Sequence, residues 1–378
     1  MRLHFYYIIS ILLIISCSSM KDKEMLSSGI DFDRVDTTVR PQDDFYRHVN
    51  GKWLKEFDLP EDKSRYGTFT ILRENAREDV RKIIEEAADK NSSKGSDNQK
   101  IGDLYHSYMD TASLEQIGVK NLQKEMIKIS EIKDMSDLSE YMAYADIITT
   151  APFGIYVYID SKNPTEHVTY LSQSGLGLPN RGYYMDDDEK SKNIRKEYVT
   201  HVGKMFQLYG MKNSKDLAKT VMNIETRLAK FHWKKEKNRD PVATYNLSSM
   251  SELTSMIPGL DWGRWLNATD MAEIDKIIIR QPDYIQNINN IIMETSIIDW
   301  KTYYRWALIN RFASLLSSDF DKQNFHFYRT VLSGVKKMEP RWKRGVGVVS
   351  GAMGEIIGKV YVDKHFDQKA KDRMNDLV

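Results

Sequence analysis

Residues 40–74 read RPQDDFYRHVNGKWLKEFDLPEDKSRYGTFTILRE, and the rest of the chain is best read outward from them. Pro41 fixes φ, and Asp43 and Asp44 stand where carboxylates suit the positive end of a helix dipole. Phe45, Val49 and Trp53 recur at helical spacing, and Asn50-Gly51 predicts a turn or a kinked helix end within that stripe. Pro60 marks an extended passage. Ser64-Arg65-Tyr66-Gly67-Thr68-Phe69 then leads into a long amphipathic helix, whose predicted buried face is Leu72, Ala76, Val80, Ile83, Ile84 and Ala87.

Upstream, Arg2 precedes an apolar run from Phe5 to Ile15 that only Ser10 breaks. A bilayer-spanning helix needs about 20 such residues, so this run reads as the core of a signal peptide. It ends in Ile14-Ile15-Ser16-Cys17, which resembles a bacterial lipoprotein cleavage box with Cys17 as the acylated residue; the alternative is plain secretion with an incidental cysteine. Residues 1–17 are thus expected to be a lipoprotein signal peptide and residues 18–30 a flexible tether. Downstream, residues 90–99 (KNSSKGSDNQ) form a polar loop, and most windows from Lys100 to about Leu316 read as helix. Ser136 is the expected cap of a helix burying Leu138, Tyr141, Met142 and Ala145, and Ser249 with Glu252 spells a capping box. Trp300, Tyr304, Ala307, Leu308, Arg311 and Leu315 mark one face of a further helix. Ile155, Val157 and Ile159 alternate with Tyr156 and Tyr158, Lys162-Asn163-Pro164 turns the chain, and Val168 to Leu171 returns, which predicts a β-hairpin. Phe366, Ala370, Met374, Leu377 and Val378 follow helical spacing without a stop signal, as though a helix were cut through its middle.

Composition excludes several classes. Charged residues are 29% of 378 and leave a formal net charge of +1, which argues against a nucleic-acid partner. With a mean hydropathy of −0.53, no membrane span is expected beyond the N-terminus. Cys17 is the single cysteine, so an intramolecular disulfide is impossible.

Residues 40–74 resemble the N-terminal signature of the neprilysin-like family of zinc metallopeptidases, which includes the endothelin-converting enzymes and bacterial oligopeptidases. The resemblance returns at Gly175-Leu-Gly-Leu-Pro-Asn-Arg-Gly-Tyr-Tyr184 and at His232-Trp233 followed by Asn238-Arg239-Asp240-Pro241. It closes at Arg341-Trp342 through Gly354-Glu355 to Gly358-Lys-Val-Tyr-Val362. It implies a mainly α fold: the large helical lobe of a two-lobed gluzincin-type metallopeptidase, with a small β-hairpin and most of the zinc lobe missing. On this reading residues 31–89 would pack on the zinc lobe, 90–345 build the helical lobe, and 346–378 begin the return into the zinc lobe. The two lobes of the family enclose a chamber that admits peptides. Arg65 falls at the arginine that pairs with a substrate's C-terminal carboxylate, a role suited to a guanidinium fork. Thr70 stands where some relatives carry an aspartate that orients this arginine. Animal relatives place cysteines where Val49 and Gly345 lie here.

The chemistry of such an enzyme needs two histidines a helical turn apart with a glutamate between them. None of the eight histidines begins a His-Glu-x-x-His, so no catalytic or metal-binding residue is assigned and zinc is expected only in the complete family enzyme. His232 and Glu236 read instead as a solvated face of a basic helix, and Asp186-Asp187-Asp188 as a helix cap. Gly351 to Val360 departs twice from a phosphate-binding loop, so Gly347, Gly351, Gly354 and Gly358 are expected to permit close packing. The expected function is the N-terminal part of a cell-envelope zinc metalloendopeptidase, lipid-anchored in a bacterium and catalytically incomplete by itself. Two alternatives stand beside it: a non-catalytic, lipid-anchored module that binds peptides or a partner, and one half of a split peptidase.

Overall fold

The computed structural model describes residues 31–377; Cys17, the apolar run before it and Val378 lie outside the described residues. The chain divides at Pro60/Glu61 into two compact units.

In the first unit, Asp44 caps α1 (Phe45–Glu56) by accepting from the Arg47 amide at 2.9 Å. The helix runs straight through Asn50-Gly51, against the turn expected there. The reason is steric. A Cβ on Gly51 would lie 2.7 Å from the Cβ of Asp36, so glycine is the residue that lets the helix approach that side chain. Asp36 also accepts from Lys55 at 2.6 Å. Trp53 stacks on Phe57 at 4.6 Å, whereas Phe45, the first residue of the expected stripe, is exposed.

The second unit begins with α2 (Thr68–Asp89) and α3 (Asp97–Met109). Ile83, Ile84 and Ala87 of α2 are buried as the 3.6-residue spacing predicts, but Leu72 is exposed. Two helices follow, α4 (Thr111–Ile117) and α5 (Gln123–Glu131), and then α6 (Met135–Ile148) buries Leu138, Tyr141, Met142 and Ala145. Its cap is Asp134 rather than Ser136, which sits inside the first turn. The expected hairpin forms from β1 (Phe153–Ile159) and β2 (His167–Gln173), antiparallel with Phe153 opposite Gln173. The outer half of β1 is exposed on both faces, Val157 and Tyr158 alike.

Beyond the hairpin come α7 (Gly182–Met185), α8 (Glu189–Tyr209) and α9 (Ser214–Phe231). Next are β3 (Leu247–Ser249) with α10 (Met250–Met256), α11 (Trp262–Ala268), β4 (Lys276–Ile279), α12 (Pro282–Glu294) and α13 (Ile297–Phe312). The capping box of Ser249 and Glu252 is present at α10. β4 pairs parallel with β2 and antiparallel with β3, giving a four-stranded sheet in the order β1-β2-β4-β3. The sequence reading had only its hairpin. The large core gathers α6, α8, α9, α12 and α13 around Trp300, Tyr303, Tyr304 and Trp306. The middle of α13, Trp300 to Ile309, is buried over more than one face; Arg311 and Leu315, expected on the single apolar face, are exposed.

After α14 (Ser318–Phe325) a π-helical turn, His326–Val331, leads to α15 (Arg341–His365) and α16 (Gln368–Leu377). Val346, Val349 and Ile357 of α15 close a second core with Ile84, Ala87, Ile101 and Tyr105. Among the described residues α15 is the one helix long and apolar enough, by length and composition, to cross a membrane, which mean hydropathy alone had not suggested. Its glycines divide. A Cβ on Gly345 would meet Tyr105 and Tyr108 at 3.1 Å, but Gly347, Gly351, Gly354 and Gly358 have nothing within 4 Å and serve no close packing among the described residues. Phe366 ends α15, so the apolar spacing that begins there is split between two helices.

Candidate functional site

Arg65 lies in the short passage between Glu61 and α2, and that passage is held at its base. The Glu61 carbonyl accepts from the amides of Lys336 and Lys337 at 2.9 and 3.0 Å. Two residues on, the Lys63 ammonium sits among carboxylates: bonded to Glu339, 3.1 Å from Glu74 and 3.7 Å from Asp62. Arg77 reaches Glu339 at 3.2 Å, and Lys343 pairs with Glu74. The cluster thus joins the start of α2 to the start of α15.

Burial alone would lower the pKa of Lys63, but the bonds from Glu339 and Glu74 outweigh it and hold the ammonium above its usual value. Burial would likewise raise Glu74 and Glu339; their cationic partners win and both carboxyls lie below their usual range. Lys63, Glu74 and Glu339 are therefore all charged at neutral pH. Arg65 itself is exposed and makes no hydrogen bond or ion pair among the described residues. Thr70, which follows five residues later, is buried in α2. Phe69 is 88% exposed beside it. The passage therefore presents a free guanidinium and an open phenyl ring from a pinned base.

A second arrangement joins the two central motifs. Gly175 adopts φ +91°, the left-handed region that favours glycine, and accepts through its carbonyl from the Tyr303 hydroxyl at 2.9 Å. A Cβ on Gly177 would fall on the Tyr198 hydroxyl. Beneath this turn lies Glu225, wholly buried on α9. It accepts from Tyr184 at 2.6 Å and Tyr198 at 2.9 Å, and burial pushes its carboxyl up to about 7. Trp306 donates to Tyr198 at 3.0 Å, and the Leu178 amide donates to Tyr184 at 2.9 Å. On the other side of the turn, His232 Nε2 donates to the Ser174 carbonyl at 3.0 Å, and burial lowers its pKa to about 4. Gln173 accepts from the Trp233 amide at 2.7 Å and in turn donates to the Trp233 carbonyl, binding one motif to the other.

His232 is the buried C-cap of α9, not a member of an exposed helix face, and Glu236 is solvent-exposed four residues later. The pair does not converge on a metal. Asp188 caps α8 as read, accepting from the Ser191 amide at 3.0 Å. Among the described residues no three His, Cys, Asp or Glu side chains gather where they could hold a metal ion. The residues present do not fit a zinc centre of the kind the family resemblance implies.

A family model described as peptidase family M13, covering its N-terminal part, matches residues 41–378. This chain belongs to peptidase family M13. Bovine endothelin-converting enzyme 1 is 26% identical over 357 residues, which span 91% of this chain and 47% of that protein. The M13 chain thus has about half the length of the curated relatives it matches. The inhibitor-bound crystal structure of the Mycobacterium tuberculosis zinc metalloprotease Zmp1 superposes with a TM-score of 0.88 at 35% identity, over 93% of this chain and 54% of that one. PepO from Lactobacillus rhamnosis shares the fold alone, with a TM-score of 0.74 at 18% identity over 89% of this chain and 54% of that one. The mainly helical architecture of the M13 chain is that of the helical lobe of this family.

Family resemblance singles out Arg65 in the sequence, whereas Glu225, Gln173 and Gln281, whose side-chain amide donates to Asn238 Oδ1 at 3.0 Å, are not singled out there. A signal for Glu225 exists: it is a lone carboxylate on the face of α9 that carries Val221, Ile224 and Leu228. A charge at such a position is buried, and a buried charge must be bonded. Gln173 and Gln281 carry no comparable sequence signal, because their partners lie 60 and 43 residues away.

Proposed function

We propose that this chain supplies the helical, peptide-admitting part of a zinc metalloendopeptidase. The zinc ligands and the general base would come from a segment outside residues 1–378. The observation that carries this reading is the match to the N-terminal part of peptidase family M13 in a sequence without His-Glu-x-x-His. In this reading Arg65 donates to the C-terminal carboxylate of a peptide, and its open surroundings on a pinned passage leave that guanidinium available. Zinc supplies the activated water of hydrolysis in the complete enzyme, and no residue described above holds it.

The test is cleavage of a quenched fluorogenic peptide by the purified chain, alone and mixed with the zinc-bearing half of an M13 peptidase. Hydrolysis is expected only in the mixture and should stop with chelator. Chelator-sensitive hydrolysis by the chain alone would overturn the reading.

The same proposal places the protein in the bacterial cell envelope, lipid-anchored through Cys17 at the end of the signal-like run. Labelling of the protein by a palmitate analogue in a bacterial host should disappear in Cys17→Ala. Undiminished labelling would refute the anchor.

A further inference from the structure

The two central motifs wall a cavity of about 350 Å³ on the outer side of the Gly175 turn. Its charged lining side chains are Arg181 and Lys235, and no Asp or Glu lines it. His232, also in the wall, stays neutral at physiological pH because burial lowers its pKa.

Hydrogen-bond accounting sharpens the point. The side-chain amide oxygens of this wall each accept a hydrogen bond from within the protein. Asn180 Oδ1 accepts from the Gly182 amide at 2.9 Å, Asn238 Oδ1 from Gln281 at 3.0 Å, and Gln173 Oε1 from the Trp233 amide at 2.7 Å. Several donors are spare. Arg181 is held by the carbonyls that end α9, Nε to Ala229 at 3.3 Å and Nη2 to Lys230 at 3.5 Å, which leaves Nη1 without a partner among the described residues. Among the described residues Asn180 Nδ2 is likewise unused, and Lys235 has one ionic neighbour, the adjacent Glu236 at 4.0 Å. A wall with its amide oxygens bonded, donors and positive charge spare and no carboxylate is complementary to an anion that brings acceptors.

We propose that this cavity binds a peptide carboxylate, with Arg181, Lys235 and Asn180 as its donors. The anchoring of Arg181 at a helix terminus fixes the guanidinium before the ligand arrives, so little freedom is lost on binding. The site stands apart from Arg65 in sequence and in its lining residues. It rests on the peptidase reading only in taking a peptide as the carrier of the carboxylate.

The test is fluorescence anisotropy of labelled peptides with the full chain, without zinc and without cleavage. An amidated tetraglutamate offers side-chain carboxylates alone, a tetraalanine with a free C-terminus offers the terminal carboxylate alone, and amidated tetraglutamine offers neither. At least one carboxylate peptide should bind, and the one that binds identifies the source. Asn180→Asp keeps the acceptor for the Gly182 amide while replacing the spare donor with a charge. It and Lys235→Glu should each weaken binding by roughly tenfold or more. Lys234→Glu alters net charge equally at a neighbour outside the cavity and should change binding by less than about twofold. Circular dichroism should be unchanged throughout. Equal losses from Lys234→Glu and Lys235→Glu, binding as tight to tetraglutamine, or no binding to either carboxylate peptide would overturn the proposal. None of these three results touches the peptidase reading, which stands or falls on cleavage in the mixture.

Discussion

The Tyr184 hydroxyl donates to Glu225 at 2.6 Å across 41 residues of sequence, and this bond ties the Gly175–Tyr184 segment to α9. Tyr198 completes the arrangement, bonded to Glu225 on one side and receiving Trp306 Nε1 on the other. All of these side chains are buried.

Tyr198→Phe should therefore destabilise the fold by about 1–3 kcal/mol, because it removes the buried hydroxyl that donates to Glu225 and accepts from Trp306 Nε1. Urea unfolding of the two proteins measures the difference. A loss below about 0.5 kcal/mol, the usual limit for surface changes, would show that the network does not hold the fold.

Three buried groups set opposite pH dependences. His201, stacked on Phe327 at 4.8 Å and bonded to Gln323, has its pKa lowered to about 3, and His232 to about 4, against an ordinary 6.5. Each stabilises the fold fully above pH 6.5, and that contribution is lost as pH falls toward the folded value. Glu225 is raised from 4.5 to about 7, so its contribution is greatest below pH 4.5 and is lost as pH rises through 7. Between pH 6.5 and 4.5 two losses on acidification oppose one gain, for a net slope of about 1.4 kcal/mol per pH unit. Urea unfolding across this window should show that slope in the wild type and a flat profile in His201→Gln. A profile that keeps its slope in the variant would contradict the assignment.

The base under Arg65 makes its own prediction. Glu339→Gln removes the carboxylate shared by Lys63 and Arg77, and for groups about one-fifth exposed the expected loss is about 1–2 kcal/mol. The passage from Glu61 to Gly67 should loosen with it. Tryptic cleavage after Lys63 or Arg65 should become faster in the variant, and an unchanged rate would show that the cluster does not pin the passage.

Gly51→Ala tests the close approach in the first unit. Its Cβ would be forced to within 2.7 Å of Asp36, and overpacking of this kind costs about 1–3 kcal/mol. A variant as stable as the wild type would mean that Asp36 moves aside freely.

The same glycine shows where sequence reading reaches its limit. Asn50-Gly51 carries the local chemistry of a turn, and only the side chain of Asp36 explains why a glycine stands inside a helix. Ile83, Ile84 and Ala87 were legible because helical periodicity is a local property, and so were the capping box of Ser249 and the Phe153–Gln173 hairpin. β4 was not legible. Four residues, Lys276–Ile279, are too few for periodicity to separate strand from helix, and their partner strand β2 lies about a hundred residues earlier. The carboxylate-binding role proposed for Arg65 comes from family resemblance alone; its exposure and the cluster beneath it are properties of the fold. The cavity beside the Gly175 turn depended on Gln173, Gln281 and Asn238 finding one another, which no spacing encodes.

The central claim is that this chain is the peptide-admitting part of an M13 peptidase whose chemistry resides elsewhere. Its most direct test is peptide hydrolysis after mixing the chain with the zinc-bearing half of the Zmp1 protein, whose matched part is 35% identical. The account predicts chelator-sensitive hydrolysis in the mixture and none from either part alone. It also predicts that Arg65→Ala lowers kcat/KM for free-carboxylate peptides by roughly ten- to a hundredfold while sparing amidated ones. Zinc-dependent hydrolysis by the chain alone, or equal losses for free and amidated peptides, would contradict it.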